Sequence, residues 1–226
     1  MPMAPFDSIT AVYTPAHAWM YEAIVAPAVY PSRHVIDEHF LPFLAENAHI
    51  LDVGSGGASF TKYIADRRPD LDIIGLDLAV PQVKRATRRM RHYGERVRFR
   101  VGDATRLDFA DGVFDGVISY GSIKHWSSRE TGLTECMRVL KPAGPLLITD
   151  ADRSTSFDDA ERFIENYRTP RLLGGINLAI FHTWIAGRSI SLEEARDLAD
   201  PLDLVDEEVS RIPGMPLVMI SGRKAG

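Results

Sequence analysis

Ile50-Leu-Asp-Val-Gly-Ser-Gly-Gly57 is the stretch that decides how this chain folds. An apolar run suited to a buried strand ends in a cluster of glycines, and Ala58 to Arg67 then reads as a helix. Strand, glycine turn and helix in that order form the opening unit of a parallel sheet. Glycine lets the backbone approach a ligand closely, and a helix N-terminus offers unpaired N–H groups. A lone Gly-x-Gly is equally a tight turn. Two details sharpen it. Asp52 stands two residues before Gly54, at the strand end, and Ser59 occupies the third glycine position of the dinucleotide pattern Gly-x-Gly-x-x-Gly. A carboxylate there suits a ligand carrying an ammonium and a sulfonium, and repels a pyrophosphate.

The alternation continues downstream. Asp72 to Leu76 reads as a second strand ending at Asp77, followed by a helix from Pro81 to His92. Val97 to Val101 is a third strand ending at Gly102-Asp103, and Phe114 to Ser119 a fourth. Arg129 to Leu140 is a helix stopped by Lys141-Pro-Ala-Gly144, and Leu146 to Thr149 is a fifth strand. Such a pattern predicts a parallel sheet with right-handed crossovers, binding ligands at the carboxyl ends of its strands. Asp52, Asp77, Asp103 and Tyr120 all lie at such ends. Asp77 suits a carboxylate accepting from two ribose hydroxyls, its other reading being a solvated loop carboxylate. Asp103 and the Ala104 N–H present an acceptor and a donor to a nucleobase edge, although that turn is common.

The flanks read differently. In residues 1–48, Ser32 is placed to cap a helix carrying Val35, Ile36, Phe40 and Leu41. Ser156 opens a polar helix start, and Leu172 to Ile185 is an apolar stretch with Phe181 and Trp184. Ser191-Leu-Glu-Glu194 is a capping box. Leu204 to Ile212 and Pro216 to Ser221 pair as a hairpin across Pro213-Gly214.

The ordered set resembles the class I S-adenosylmethionine (SAM)-dependent methyltransferases, and more closely their small-molecule type 11, ubiquinone-biosynthesis-like branch. Arg138-Val-Leu-Lys-Pro-Ala-Gly144 and the closing hairpin add to the likeness, with departures at Ala143 and Pro145. The resemblance implies an α/β fold: a doubly wound, seven-stranded, mostly parallel sheet with an antiparallel strand from the C-terminal hairpin. It implies a single domain, with 1–48 as a helical N-terminal cap and 49–152 as the SAM-binding core. Residues 153–187 would be a helical lid insert, and 188–226 the last helix and hairpin. Asp52, Gly54, Ser55 and Gly56 would hold the methionine part of SAM. Asp77 would bind the ribose, Leu78 would pack on the adenine, and Asp103 and Ala104 would grip its edge. Ser119 and Tyr120 would line the sulfonium end. S-adenosylhomocysteine (SAH) would be the product, and no metal is implied.

The acceptor is expected to be a small, aromatic or apolar molecule, methylated at O, N or C. His125 is the first candidate base, because it follows the fourth strand; it reads equally as a helix-start histidine packed beside Trp126. Tyr13, with His17 and Tyr21, could orient an acceptor from the lead-in, and Arg33 could pair with the SAM carboxylate. His182 is a further candidate base. The apolar insert is a lid or a dimer contact. Two other functions remain open: a non-catalytic SAM-binding protein, and an NAD-dependent oxidoreductase.

Whole-chain properties set bounds. The 226 residues carry a net charge of −5, so no global positive field points to nucleic acid. The basic run from Lys84 to Arg100 reads as the solvated face of a helix, and the loop after the fourth strand lacks the run found in base-amino methylating enzymes. No apolar run approaches a membrane span, and no signal peptide is read. The single cysteine, Cys136, reads as core and rules out an internal disulfide. These features point to a cytoplasmic monomer or homodimer.

Overall fold

The computed structural model describes residues 26–167, 174–181 and 186–226. Two short helices, α1 (Ala26–Val29) and α2 (His34–His39), precede the sheet. The core then runs β1 (His49–Val53), α3 (Ser59–Arg67), β2 (Asp72–Asp77), α4 (Val80–Met90), β3 (Val97–Val101), β4 (Gly116–Tyr120), α5 (Arg129–Val139) and β5 (Pro145–Ala151). After it come α6 (Phe157–Ile164), α7 (Gly174–Ile180), α8 (Leu192–Ala199) and the hairpin strands β6 (Leu204–Arg211) and β7 (Leu217–Lys224).

The seven strands form one sheet in the order β3-β2-β1-β4-β5-β7-β6. Strands β1 to β5 are parallel, and β7 runs antiparallel between β5 and β6. The expected doubly wound, mostly parallel sheet with an inserted antiparallel strand is therefore present. Order reverses between β1 and β4, which opens a crevice at their carboxyl ends.

Alternation of side chains builds two cores. Ile50, Ile73, Leu147 and Met219 face one core with Ile36, Phe40, Ile64 and Met90. Leu51, Ile74, Ile148 and Val218 face the other with Leu133, Cys136 and Leu198. Both faces are covered, so the central strands are apolar on both sides. Each such fully buried side chain contributes about 1.5–3 kcal/mol. Burial pushes the Cys136 thiol up to about 12, consistent with a packing role. No helix among the described residues is long and apolar enough to cross a membrane.

Local signals fared unevenly. Ser156 accepts from the Asp159 N–H, and Ser191 and Glu194 form the expected capping box. Ser32 does not cap α2; it is buried, and its hydroxyl donates to Val29 O at 2.6 Å. The fourth strand begins at Gly116, because Phe114 instead forms a bridge with Leu140. Helix α4 ends at Met90, since Gly94 has φ 65° and breaks the turn that follows. Pro145 is tolerated as the first residue of β5. The basic run is only partly a solvated face: Arg89 donates to Gly57 O, Arg96 to Ala65 O, and Arg98 pairs with Asp72.

Candidate functional site

The glycine turn closes against β2. Gly54 N and Ser55 N both donate to Leu76 O, at 2.7 and 3.0 Å. Gly56 N donates to Asp77 Oδ2 at 2.9 Å, and Ala79 N to Asp77 Oδ1 at 2.8 Å. Gly54 and Gly56 have φ of 77° and 52°, a region that favours glycine. The amides of Gly54, Ser55 and Gly56 are thus engaged within the fold. The Ser55 hydroxyl is also turned inward, buried without a hydrogen-bond partner close to Gly75.

Asp52 is only 2% exposed. The Thr61 hydroxyl donates to its Oδ2 at 2.5 Å. Burial pushes its pKa up to about 7; Thr61 opposes that rise, and Asp77 adds to it. Burial raises Asp77 as well, against the pull of the Ala79 and Gly56 amides. Among the described residues, neither carboxylate has a cationic partner within ion-pairing distance. Two crowded carboxylates without a cation fit a ligand that brings positive charge and hydroxyl donors. They do not fit a pyrophosphate.

The other candidate binding residues gather at the same end of the sheet. Leu78 follows Asp77 and is 48% exposed, an apolar surface open beside the carboxylate. Asp103 Oδ1 accepts from the N–H and the hydroxyl of Thr105, at 2.9 and 2.8 Å. Ala104 is buried next to it.

Ser119 is placed deeper than expected, and Tyr120 presents its ring and not its hydroxyl. The Ser119 side chain is wholly buried and shares a 2.8 Å hydrogen bond with Ser122. It supports the loop from beneath and does not line a ligand surface. Ser122 Oγ donates to Val53 O at 3.0 Å and accepts from Trp126 Nε1 at 3.0 Å. The Tyr120 hydroxyl shares a short hydrogen bond with Ser32. Its ring stacks on Phe60, with centroids 3.7 Å apart and planes 18° apart. Burial holds its pKa well above the usual tyrosine range, so Tyr120 is an aromatic wall and not a base.

His125 lies in the turn Ile123–His125 at the mouth of β4. Its surface is exposed, but the surrounding protein and the Lys124 ammonium push its pKa down to about 4, with Asp150 opposing. A neutral imidazole of that pKa is a weak proton acceptor at neutral pH. Arg33 lies over the Tyr63 ring at 5.0 Å and is directed at α3. Tyr13, His17, Tyr21, His182 and Trp184 lie outside the described residues.

Several contributors escaped the sequence reading: Thr61 beside Asp52, Phe60 beneath Tyr120, Ser122 against Gly54, and a buried ion pair between Lys124 and Asp150 at 2.6 Å. The strand-end rule that picked Asp52 and Asp77 would have picked Asp150, had it been applied to β5.

Comparison with known proteins agrees with this geometry. Residues 51–148 match the type 11 methyltransferase domain family. The demethylmenaquinone methyltransferase of Thermus thermophilus is 34% identical over 101 residues, covering 45% of this chain and 46% of that protein. An O-methyltransferase of Aspergillus nomiae, rstn1, is 32% identical over 139 residues, covering 59% of this chain and 61% of that protein. The chain spans about half the length of the demethylmenaquinone methyltransferases it matches. Among solved structures, phosphoethanolamine N-methyltransferase 2 of Haemonchus contortus with SAM superposes with TM-score 0.71 at 18% identity, over 98% of this chain and 59% of that one. A SAM-dependent methyltransferase from Aquifex aeolicus gives TM-score 0.63 at 16% identity, over 93% and 98%. Over residues 51–148 the chain is similar to the type 11 methyltransferase domain, and its fold is that of the class I SAM-dependent methyltransferases.

Proposed function

We propose that this chain binds SAM and transfers its methyl group to an O, N or C atom of a small, aromatic or apolar metabolite. One observation carries the reading: Asp52 and Asp77 crowd the glycine turn with no cation beside them among the described residues, while the turn's own amides are engaged. Bound SAM supplies a methyl carbon already activated by its positive sulfur. In this reading Asp52, with the Gly54-Ser55-Gly56 turn, holds the cationic methionine end. Asp77 takes the ribose hydroxyls, Leu78 covers the adenine, and Asp103 and Ala104 meet its edge. The Phe60–Tyr120 stack walls the reacting centre and excludes water, so positioning supplies much of the rate.

A small acceptor is supported by the relatives, whose names refer to demethylmenaquinone and phosphoethanolamine. It is also supported by the aromatic side chains of α6 and its neighbourhood: Phe163 lies 5.6 Å from Phe181, ring to ring. In this reading α6 and α7, the described helices of the 153–187 insert, cover the acceptor, and the protein works in the cytoplasm without nucleic acid. The test is transfer of labelled methyl from SAM into organic-extractable small molecules in a defined acceptor panel. Label appearing only in added RNA or DNA would contradict the reading.

A further inference from the structure

Charge in this chain is sorted along the sheet. Residues 80–101, α4 through β3, hold eight Lys and Arg residues against Glu95 alone. Residues 192–211, α8 through β6, hold eight Asp and Glu residues against Arg196 and Arg211. Strands β3 and β6 are the two edges of the sheet. Helix α4 packs on β2 and β3, and α8 on β6 and β7. Lys84, Arg88 and Arg91 are exposed at a spacing that puts them on one face of α4. Glu193, Asp197 and Asp200 are exposed at the same spacing on α8. The edge strands continue the pattern, with Arg100 exposed on β3 and Asp206, Glu207 and Glu208 exposed on β6.

Local needs do not account for this sorting. Like charges at helical spacing repel one another. Asp197 and Asp200 stand in the last turn and at the C-cap of α8, where the helix dipole disfavours an acid. Seven strands about 4.8 Å apart set the two ends roughly 29 Å from each other. That exceeds the screening length of about 8 Å at physiological ionic strength, so the two ends do not neutralise each other within one molecule. Charges on edge strands guard a sheet against pairing with other chains. Here a β3 edge repels the β3 edge of a second copy, and a β6 edge repels a β6 edge. Pairing of β3 with β6 is the combination that charge leaves open.

We infer that the α4–β3 end of one molecule docks on the α8–β6 end of a second copy, joining molecules head to tail. Ala86 and Met90 of α4 belong to one core and Ala195 and Leu198 of α8 to the other, so the two helices lie on opposite faces of the sheet. A half-turn between successive copies, about the axis along the strand order, brings the two charged stripes to the same side. The contact is heterologous and does not close on two copies, so the string grows with concentration. The bulge between Val205 and Glu208 interrupts the β6 edge. Charge, and not a continuous backbone ladder, therefore carries the contact, which makes it sensitive to salt.

The test is sedimentation equilibrium of the full chain in about 0.02 M and about 0.5 M salt. At low salt the average mass of wild type should rise with concentration beyond that of a dimer, and at high salt it should fall to that of the monomer. Two charge-reversed variants, Arg88→Glu with Arg91→Glu and Glu207→Lys with Glu208→Lys, should each associate at least about tenfold more weakly. All four positions are exposed, so Tm should be unchanged. Mixing the two variants should restore association, because each then meets an end of opposite charge; misfolding would not be repaired by mixing. Wild type that stays monomeric at low salt, a mass that levels off at the dimer, a variant that associates like wild type, or a mixture that stays monomeric would overturn the inference. Monomeric wild type retained on a polyanion column would assign the basic end to a different acidic partner and overturn it as well.

Discussion

Ser122 occupies the space that a side chain on Gly54 would need: a Cβ built there would lie 2.1 Å from Ser122 Oγ and 2.3 Å from its Cβ. The hydroxyl that blocks it also donates to Val53 O, the last carbonyl of β1. The β4 loop therefore clamps the glycine turn from the side opposite β2. Gly54 has two reasons to be glycine, its φ of 77° and this contact.

Gly54→Ala should accordingly be costly twice over. The left-handed conformation costs an alanine about 1–2 kcal/mol, and overpacking against Ser122 adds about 1–3 kcal/mol. Thermal unfolding should show a fall in Tm of about 5–15 °C, with loss of SAH binding in calorimetry. A variant with unchanged Tm and full SAH affinity would remove the clamp from the account.

Asp52 predicts a pH dependence with a definite sign. Its carboxyl stays protonated in the ligand-free fold up to about pH 7, whereas in the unfolded chain it ionises near pH 4. Between those values the unfolded state binds fewer protons, so stability falls as pH rises, by up to about 4 kcal/mol. Urea unfolding of the ligand-free protein from pH 5 to 8 should show this decline, and Asp52→Asn should flatten it. A cationic ligand favours the carboxylate, so SAM affinity should rise with pH up to about 7 with release of a proton. Calorimetry in buffers of different ionisation enthalpy reads that proton. Equal slopes for wild type and Asp52→Asn would contradict the assignment.

Ala143 offers a gain of stability. It sits exposed at φ 61° in the turn before β5, with its N–H donating to Lys224 O at 2.8 Å. An L-residue pays for that conformation where glycine does not. Ala143→Gly should stabilise by about 1 kcal/mol, raising Tm by about 2–4 °C, with SAH affinity unchanged. A lower Tm would mean the turn is not strained.

The parts of the site that could be read in sequence are those that depend on local chemistry. Gly54 and Gly56 signal a turn, and Asp52, Asp77 and Asp103 signal strand ends, because each depends on its own segment. Capping by Ser156 and the Ser191–Glu194 box are legible for the same reason. The misread parts depend on register between distant segments. The acceptor of the Gly54 and Ser55 amides, Leu76 O, belongs to the next strand and is not visible in the turn's own sequence. The partner of the Tyr120 hydroxyl is not visible in its own segment, because Ser32 lies 88 residues away. Ser119 sat at the right strand end but on the inward face, against Ser122. The Lys124–Asp150 pair joins a loop to a strand 26 residues on, so the pairing is not visible in either segment.

The central claim is that the paired carboxylates at the glycine turn select a cationic nucleoside ligand. Isothermal titration of the full chain with SAM and with NAD, repeated on Asp77→Ala, tests it most directly. The account predicts saturable SAM binding to wild type, no NAD binding, and an Asp77→Ala affinity reduced by about tenfold or more. NAD binding in place of SAM, or an Asp77→Ala variant with full SAM affinity, would contradict it.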